Sequence, residues 1–196
     1  MKLVIMTLPT FFVEEDKILT TLFDEGMDNL HLCKPGASPM YSERLLSLLP
    51  EYTYNKITVH DHYYLKNEYR LAGIHIDGIK DVPKEYKGKF SRTCTDISTL
   101  SQMKKKAEYV FLADTFKDTH DSQSMKILED ASQKGIIDKH VYAFGDISLD
   151  NIKIAKELGF GGVVIQKDLW NKFDIHNELD YKDLINHFEK LRKAVS

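Results

Sequence analysis

Apolar positions come in short unbroken runs, and between the runs they recur at helical spacing. Residues 3–6 form the first run. Residues 15–25 follow, with Ile18, Leu19 and Leu22 on one side of a helix. Residues 29–33 read as a second strand, stopped by Lys34, Pro35 and Gly36. A helix is predicted over 41–49, where Leu45, Leu46, Leu48 and Leu49 give the apolar side. A strand over 56–60, a short helix over 63–71 and a strand over 73–76 complete the first half. Asp77 and Gly78 bound that last strand.

The rhythm then repeats. Residues 89–93 make a weak strand, and Asp96 fits the N-cap of a helix reaching 106. Residues 109–113 make a strong strand, followed by a helix over 122–134 closed by Gly135. A strand over 141–144 leads to a helix opened by Ser148 and ending near 159. A strand over 162–165 precedes a final helix from Asp180 to about 194. The unit between 76 and 89 is the weakest, because 82–86 promise only a turn of helix.

The strand candidates run apolar without polar alternation, as parallel strands covered on both faces do. Units of this kind build a closed barrel or an open doubly wound sheet. Eight of them favour the barrel. The expected fold is therefore α/β, a (β/α)8 TIM-type barrel forming one domain over 1–196, although 196 residues is short for eight units.

Composition changes this picture little. The net charge is −3, from 27 basic and 30 acidic side chains. No face is basic enough to attract nucleic acid, and Lys104, Lys105 and Lys106 read as a solvated helix face. Cys33 and Cys94 form neither a disulfide framework nor a pair at metal-ligand spacing, which fits a reducing cytoplasm. The first apolar run stops at Thr7 and Pro9, too soon for a secretion signal or a membrane span.

In such a barrel, chemistry gathers at the C-terminal strand ends. Those positions hold His31, Cys33 and Lys34; His60, Asp61 and His62; His75 and Asp77; Arg92 and Thr93; Asp114; Gly145 and Asp146; and Gln166, Lys167 and Asp168. Asp61 suits a hard cation bound through oxygen, with imidazoles beside it to move protons; the alternative is a helix cap. The loops after the seventh and eighth strands often hold phosphate on backbone amides, and Gly145 permits close approach; a plain turn is the alternative. Asp114 stands where a general acid or base would, or it caps a loop. His75, between two isoleucines, reads as a core histidine, and Cys33 as an inert thiol more readily than a nucleophile.

In this order the strand-end stretches resemble the thiamine phosphate synthase family and its sister, the TenI-like thiazole tautomerases. The matching stretches are 28–32, 59–63, 72–76, 107–110, 142–147 and 159–164, and the likeness covers essentially the whole chain. The resemblance implies a barrel enzyme of thiamine biosynthesis. It would join a hydroxymethylpyrimidine diphosphate to a thiazole phosphate and release diphosphate, with Mg2+ on the diphosphate. Its partners would be small phosphorylated heterocycles rather than nucleic acid or membrane, and family members are often homo-oligomers.

Carried across by motif, Asp61 falls on the family's Mg2+ aspartate, and Asp77 or Asp81 on the second carboxylate. His60 replaces an asparagine that touches the pyrimidine. Thr93 falls near a diphosphate-binding serine, Gly145 on the glycine that binds the thiazole phosphate, and Gln166 and Lys167 on the loop beside it. The family's Gln-x-Arg-x-Lys becomes His31, Cys33 and Pro35, so a guanidinium is lost, with Lys34 one position away. The family's Pro-Thr-x-Thr-Lys loop falls on residues 117–121, where carboxylates replace threonine and lysine. Charge would then come from His31, Lys34, His60, His62 and Arg92, or the substrate differs. Asp114 stands at the tautomerase histidine. The catalytic candidates are thus Asp114 and His60. Synthase chemistry leads, and tautomerase chemistry or a bare phosphoryl-ligand binder are the alternatives.

Overall fold

The computed structural model describes residues 1–117, 121–176 and 180–196. Eight parallel strands close into a barrel in chain order: β1 (Lys2–Met6), β2 (Leu30–Leu32), β3 (Ile57–Val59), β4 (Gly73–Ile76), β5 (Phe90–Cys94), β6 (Val110–Leu112), β7 (Val141–Ala143) and β8 (Gly162–Ile165). Closure is made by β1 against β8, in register from Lys2 opposite Gly162 to Ile5 opposite Ile165. This is the TIM-type barrel expected of eight apolar runs.

Helices cover the outside: α1 (Glu15–Asp24), α2 (Pro39–Leu48), α3 (Leu65–Glu68), α4 (Leu100–Met103), α5 (Ser122–Gln133), α6 (Ile152–Glu157), α7 (Lys167–Trp170) and α8 (Lys182–Val195). No helix is long and apolar enough to cross a membrane among the described residues.

The strands bury both faces, and period two separates them. Leu3 and Ile5 pack outward against the helices, while Val4 and Met6 point into the barrel. The interior is completed by Tyr109, Phe111, Tyr142 and Val164. Tyr109 and Tyr142 stack at 4.5 Å and 4° across adjacent strands. Gly162 makes room for them, since a Cβ there would lie 2.8 Å from the Tyr142 ring. The opposite wall is polar: His31, Thr58, His75 and Ser91 are all buried.

Several elements depart from expectation. The helix expected over 63–71 is only the single turn α3, because Arg70 takes φ 54° and turns the chain toward β4. The helix expected over 96–106 is a 3-10 turn (Ile97–Thr99) and α4. Asp96 does cap it, accepting from the Ser98 amide at 2.9 Å. Lys104 leaves the solvated face assigned to it and bonds the Ile136 carbonyl and the Asp138 carboxylate, each at 2.7 Å. Helix α6 starts at Ile152 rather than at Ser148. Asn151 folds the turn before it, accepting from the Ser148 amide and donating to the Asp146 carbonyl, both at 2.9 Å.

Candidate active site

The mouth is shaped by turns that strain the backbone. His62, Asp114 and Asp146 follow β3, β6 and β7 with φ between 52° and 53°, a region that side chains with a Cβ rarely enter. Gly145 has φ +96°, and a Cβ on it would sit 2.9 Å from the Asp114 amide nitrogen and Cα. The turn after β7 thus leans on the turn after β6. Between them opens a cleft of about 230 Å3, lined by Asp114, Phe144, Gly145, Asp146, Ile147, Val164, Gln166 and Lys167. Gln166 Nε2 donates to the Thr7 carbonyl at 2.8 Å, tying β8 to β1. Behind the cleft, Asp168 holds the turn by accepting from the Leu149 amide at 3.2 Å and meeting His187 at 2.7 Å. Lys167 brings a cation to a lining that also carries two aspartates.

Below the mouth, imidazoles form a connected cluster. His31 Nδ1 lies 2.8 Å from His60 Nε2, and His31 Nε2 lies 2.7 Å from the Tyr109 hydroxyl. His75 bonds the Ser91 and Thr93 hydroxyls, each at 2.7 Å. Burial holds all three imidazoles below the usual histidine range, His60 at about 3. They are neutral at physiological pH. Ligand atoms of the three lie within 4.8 Å of one another. The cluster nonetheless fits a transition metal poorly. His60 and His75 stack at 4.2 Å and 18°, so their in-plane lone pairs run side by side instead of converging.

Asp61, Asp77 and Cys33 share the mouth above this cluster. Burial raises the Asp77 carboxyl; Lys80 pulls it back and Asp61 pushes it up again. Burial, then Asp61 and Asp77, raises the Cys33 thiol to about 11. This favours the protonated thiol at Cys33. Asp81 is exposed and lines a separate groove with Ile79, Arg92 and Lys105, away from Asp61. Asp61 lies near enough to raise Asp77, and both act on Cys33; as hard oxygen donors they are of the type Mg2+ takes.

Other expected contacts are corrected by packing. Lys34 does not reach the mouth. It is 2% exposed and meets Glu15 Oε1 at 2.5 Å and the Thr10 carbonyl at 2.9 Å, under the Phe11 ring. Glu15 Oε2 has no partner among the described residues, and burial raises the Glu15 pKa despite Lys34. Burial likewise lowers that of Lys34, which Glu15 only partly offsets. Arg92 is turned outward and donates to the Gly78 carbonyl at 3.0 Å. His62 leans across to β2's loop and donates to the Ala37 carbonyl at 3.0 Å. His31 has no exposed surface and serves His60 rather than a ligand directly. The expected phosphate loop lies in large part, at 118–120, outside the described residues. Asp121, at its end, caps α5 through the Gln123 and Ser124 amides.

Sequence reasoning missed Asn29, Ser91, Tyr109 and Glu15. Asn29, Ser91 and Tyr109 stand two positions before His31, Thr93 and Phe111, so they share the inner face once one residue of each strand is known to point inward.

The fold and the crowded strand ends define a small (β/α)8 barrel protein with polar side chains gathered at its C-terminal mouth. No family model and no curated protein matches the chain. Among solved structures it is similar to a thiamine phosphate pyrophosphorylase from Bacteroides thetaiotaomicron, with 45% identity, TM-score 0.92, and 99% of this chain and 97% of that one covered. The chain belongs to the thiamine phosphate pyrophosphorylase family. A Pyrococcus furiosus thiamine phosphate pyrophosphorylase at 17% identity and TM-score 0.74, covering 99% of this chain and 95% of that one, shares the fold. So does a 3-hexulose-6-phosphate synthase at 13% identity and TM-score 0.65, with both chains covered in full.

Proposed function

We propose that this chain is a transferase of thiamine biosynthesis, joining hydroxymethylpyrimidine diphosphate to thiazole phosphate and releasing diphosphate. The observation that carries the reading is a barrel of this family whose β3 and β4 ends bring Asp61 and Asp77 within electrostatic reach of each other, beside neutral His60. The bond from the pyrimidine methylene to diphosphate breaks, and a bond to the thiazole nitrogen forms. Mg2+ held by Asp61 and Asp77 would neutralise charge on the departing diphosphate. His60 orients the pyrimidine, with His31 behind it and Thr93 near the diphosphate. The Gly145 turn, with Gln166 and Lys167, holds the thiazole phosphate on backbone amides and one cation. The reaction needs positioning and charge stabilisation more than a nucleophile, and the raised Cys33 thiol agrees with that.

Purified protein with Mg2+ and both substrates is expected to form thiamine phosphate and diphosphate in equal amounts. No product above the enzyme-free control, at saturating substrates, rejects the proposal.

One observation favours a second reading. Lys34 is spent on Glu15 and Cys33 stands where the family carries arginine, so the diphosphate side is short of positive charge. A tautomerase moving a proton on a carboxylated thiazole phosphate needs no diphosphate site, and Asp114 beside Gly145 would be its acid-base group. Proton exchange on that thiazole, abolished in Asp114→Asn, would select this reading.

A further inference from the structure

The inner wall carries a chain of hydrogen bonds with one direction. Asn29 Nδ2 donates to the Tyr109 hydroxyl oxygen at 3.5 Å. The Thr58 and Ser91 hydroxyls also lie beside this phenol, and its shortest contact is to His31 Nε2 at 2.7 Å. Acidity sets the direction of that short bond, because a phenol is the better acid and a neutral imidazole the better base. A neutral imidazole has one N–H and one acceptor. With Nε2 accepting, His31 carries its hydrogen on Nδ1 and donates it to His60 Nε2 at 2.8 Å. His60 must then carry its own hydrogen on Nδ1. That atom has no hydrogen-bond partner among the described residues.

We propose that Asn29, Tyr109 and His31 are positioning residues that lock His60 as an Nδ1–H donor toward the mouth, so the ligand group meeting it must be a hydrogen-bond acceptor. A freely flipping imidazole would take a donor or an acceptor equally. This one discriminates, and a mismatched ligand leaves two hydrogens facing each other in a buried site. Asn29 and Tyr109 stand just before β2 and β6, at the end of the barrel away from the mouth, and act through His31. The ligand half rests on the proposed reaction, in which a pyrimidine ring nitrogen supplies the acceptor. The tautomer half does not.

Long-range proton–nitrogen correlation spectra of the full, 15N-labelled chain read histidine tautomers without any substrate. His31 and His60 are both expected in the Nδ1–H form. An Nε2–H form at His60 overturns the proposal. Tyr109→Phe removes only the hydroxyl. It is expected to give His60 both tautomers and to raise the pyrimidine KM about tenfold, with the thiazole KM unchanged. An unchanged His60 tautomer in that variant overturns the role of Tyr109. A changed tautomer with an unchanged pyrimidine KM overturns the ligand half. If the chain forms no thiamine phosphate at all, the proposed reaction fails while the wild-type spectrum still decides the tautomer.

Discussion

Gly145 carries two constraints at once. Its φ of +96° strains any other residue, and the Asp114 backbone fills the space a Cβ would need. Gly145→Ala is expected to cost about 1–3 kcal/mol of stability, read by denaturant unfolding, and to weaken thiazole phosphate binding more than pyrimidine binding. The buried imidazoles make a prediction about pH. Their folded pKa values lie below the unfolded value of 6.5, His60's at about 3. The unfolded chain therefore binds protons first as pH falls. The stability these groups give is complete above pH 6.5 and is lost on acidification toward pH 3. The melting temperature should drop steadily from pH 7 to pH 5. His60→Asn should flatten that slope, and a slope unchanged in the variant would show His60 is not among the groups responsible.

Element boundaries show what the pattern could tell. All eight strands were legible, most of them as short apolar runs suited to strands buried on both faces, and β5, with Ser91, Arg92 and Thr93 in it, mainly from its place in the rhythm. Helices α3 and α4 were overestimated because apolar spacing continued past their ends. What stopped them was tertiary: the left-handed turn at Arg70, and Lys104 reaching Asp138. The mouth was legible as a list but not as a geometry. Pairing of Lys34 with Glu15, 19 residues away, depends on how α1 packs beside β2. Which strand residues face inward is hidden when both faces are apolar, and so the His31 to Tyr109 contact was hidden too. Strand β6 carries the inner packing through Phe111, which has no exposed surface. Phe111→Ala is expected to cost about 3–5 kcal/mol in denaturant unfolding. At the start of α6, Asn151→Ala should cost about 1 kcal/mol by the same measurement, through loss of its two turn contacts.

At the scale of the molecule, the barrel divides its mouth between two halves. The turns after β6, β7 and β8 form a strained cleft around Gly145. The ends of β2, β3 and β4 bring imidazoles and carboxylates together. Two substrates meeting at one barrel axis would use both halves, and the proposed coupling is a reaction of that kind. The most direct test is Mg2+-dependent formation of thiamine phosphate by the wild-type chain and by Asp61→Asn, both substrates saturating. The account predicts product from the wild type, lost on chelation, and a fall of at least about a hundredfold in Asp61→Asn. Equal turnover by the two proteins, or turnover indifferent to Mg2+, would contradict it.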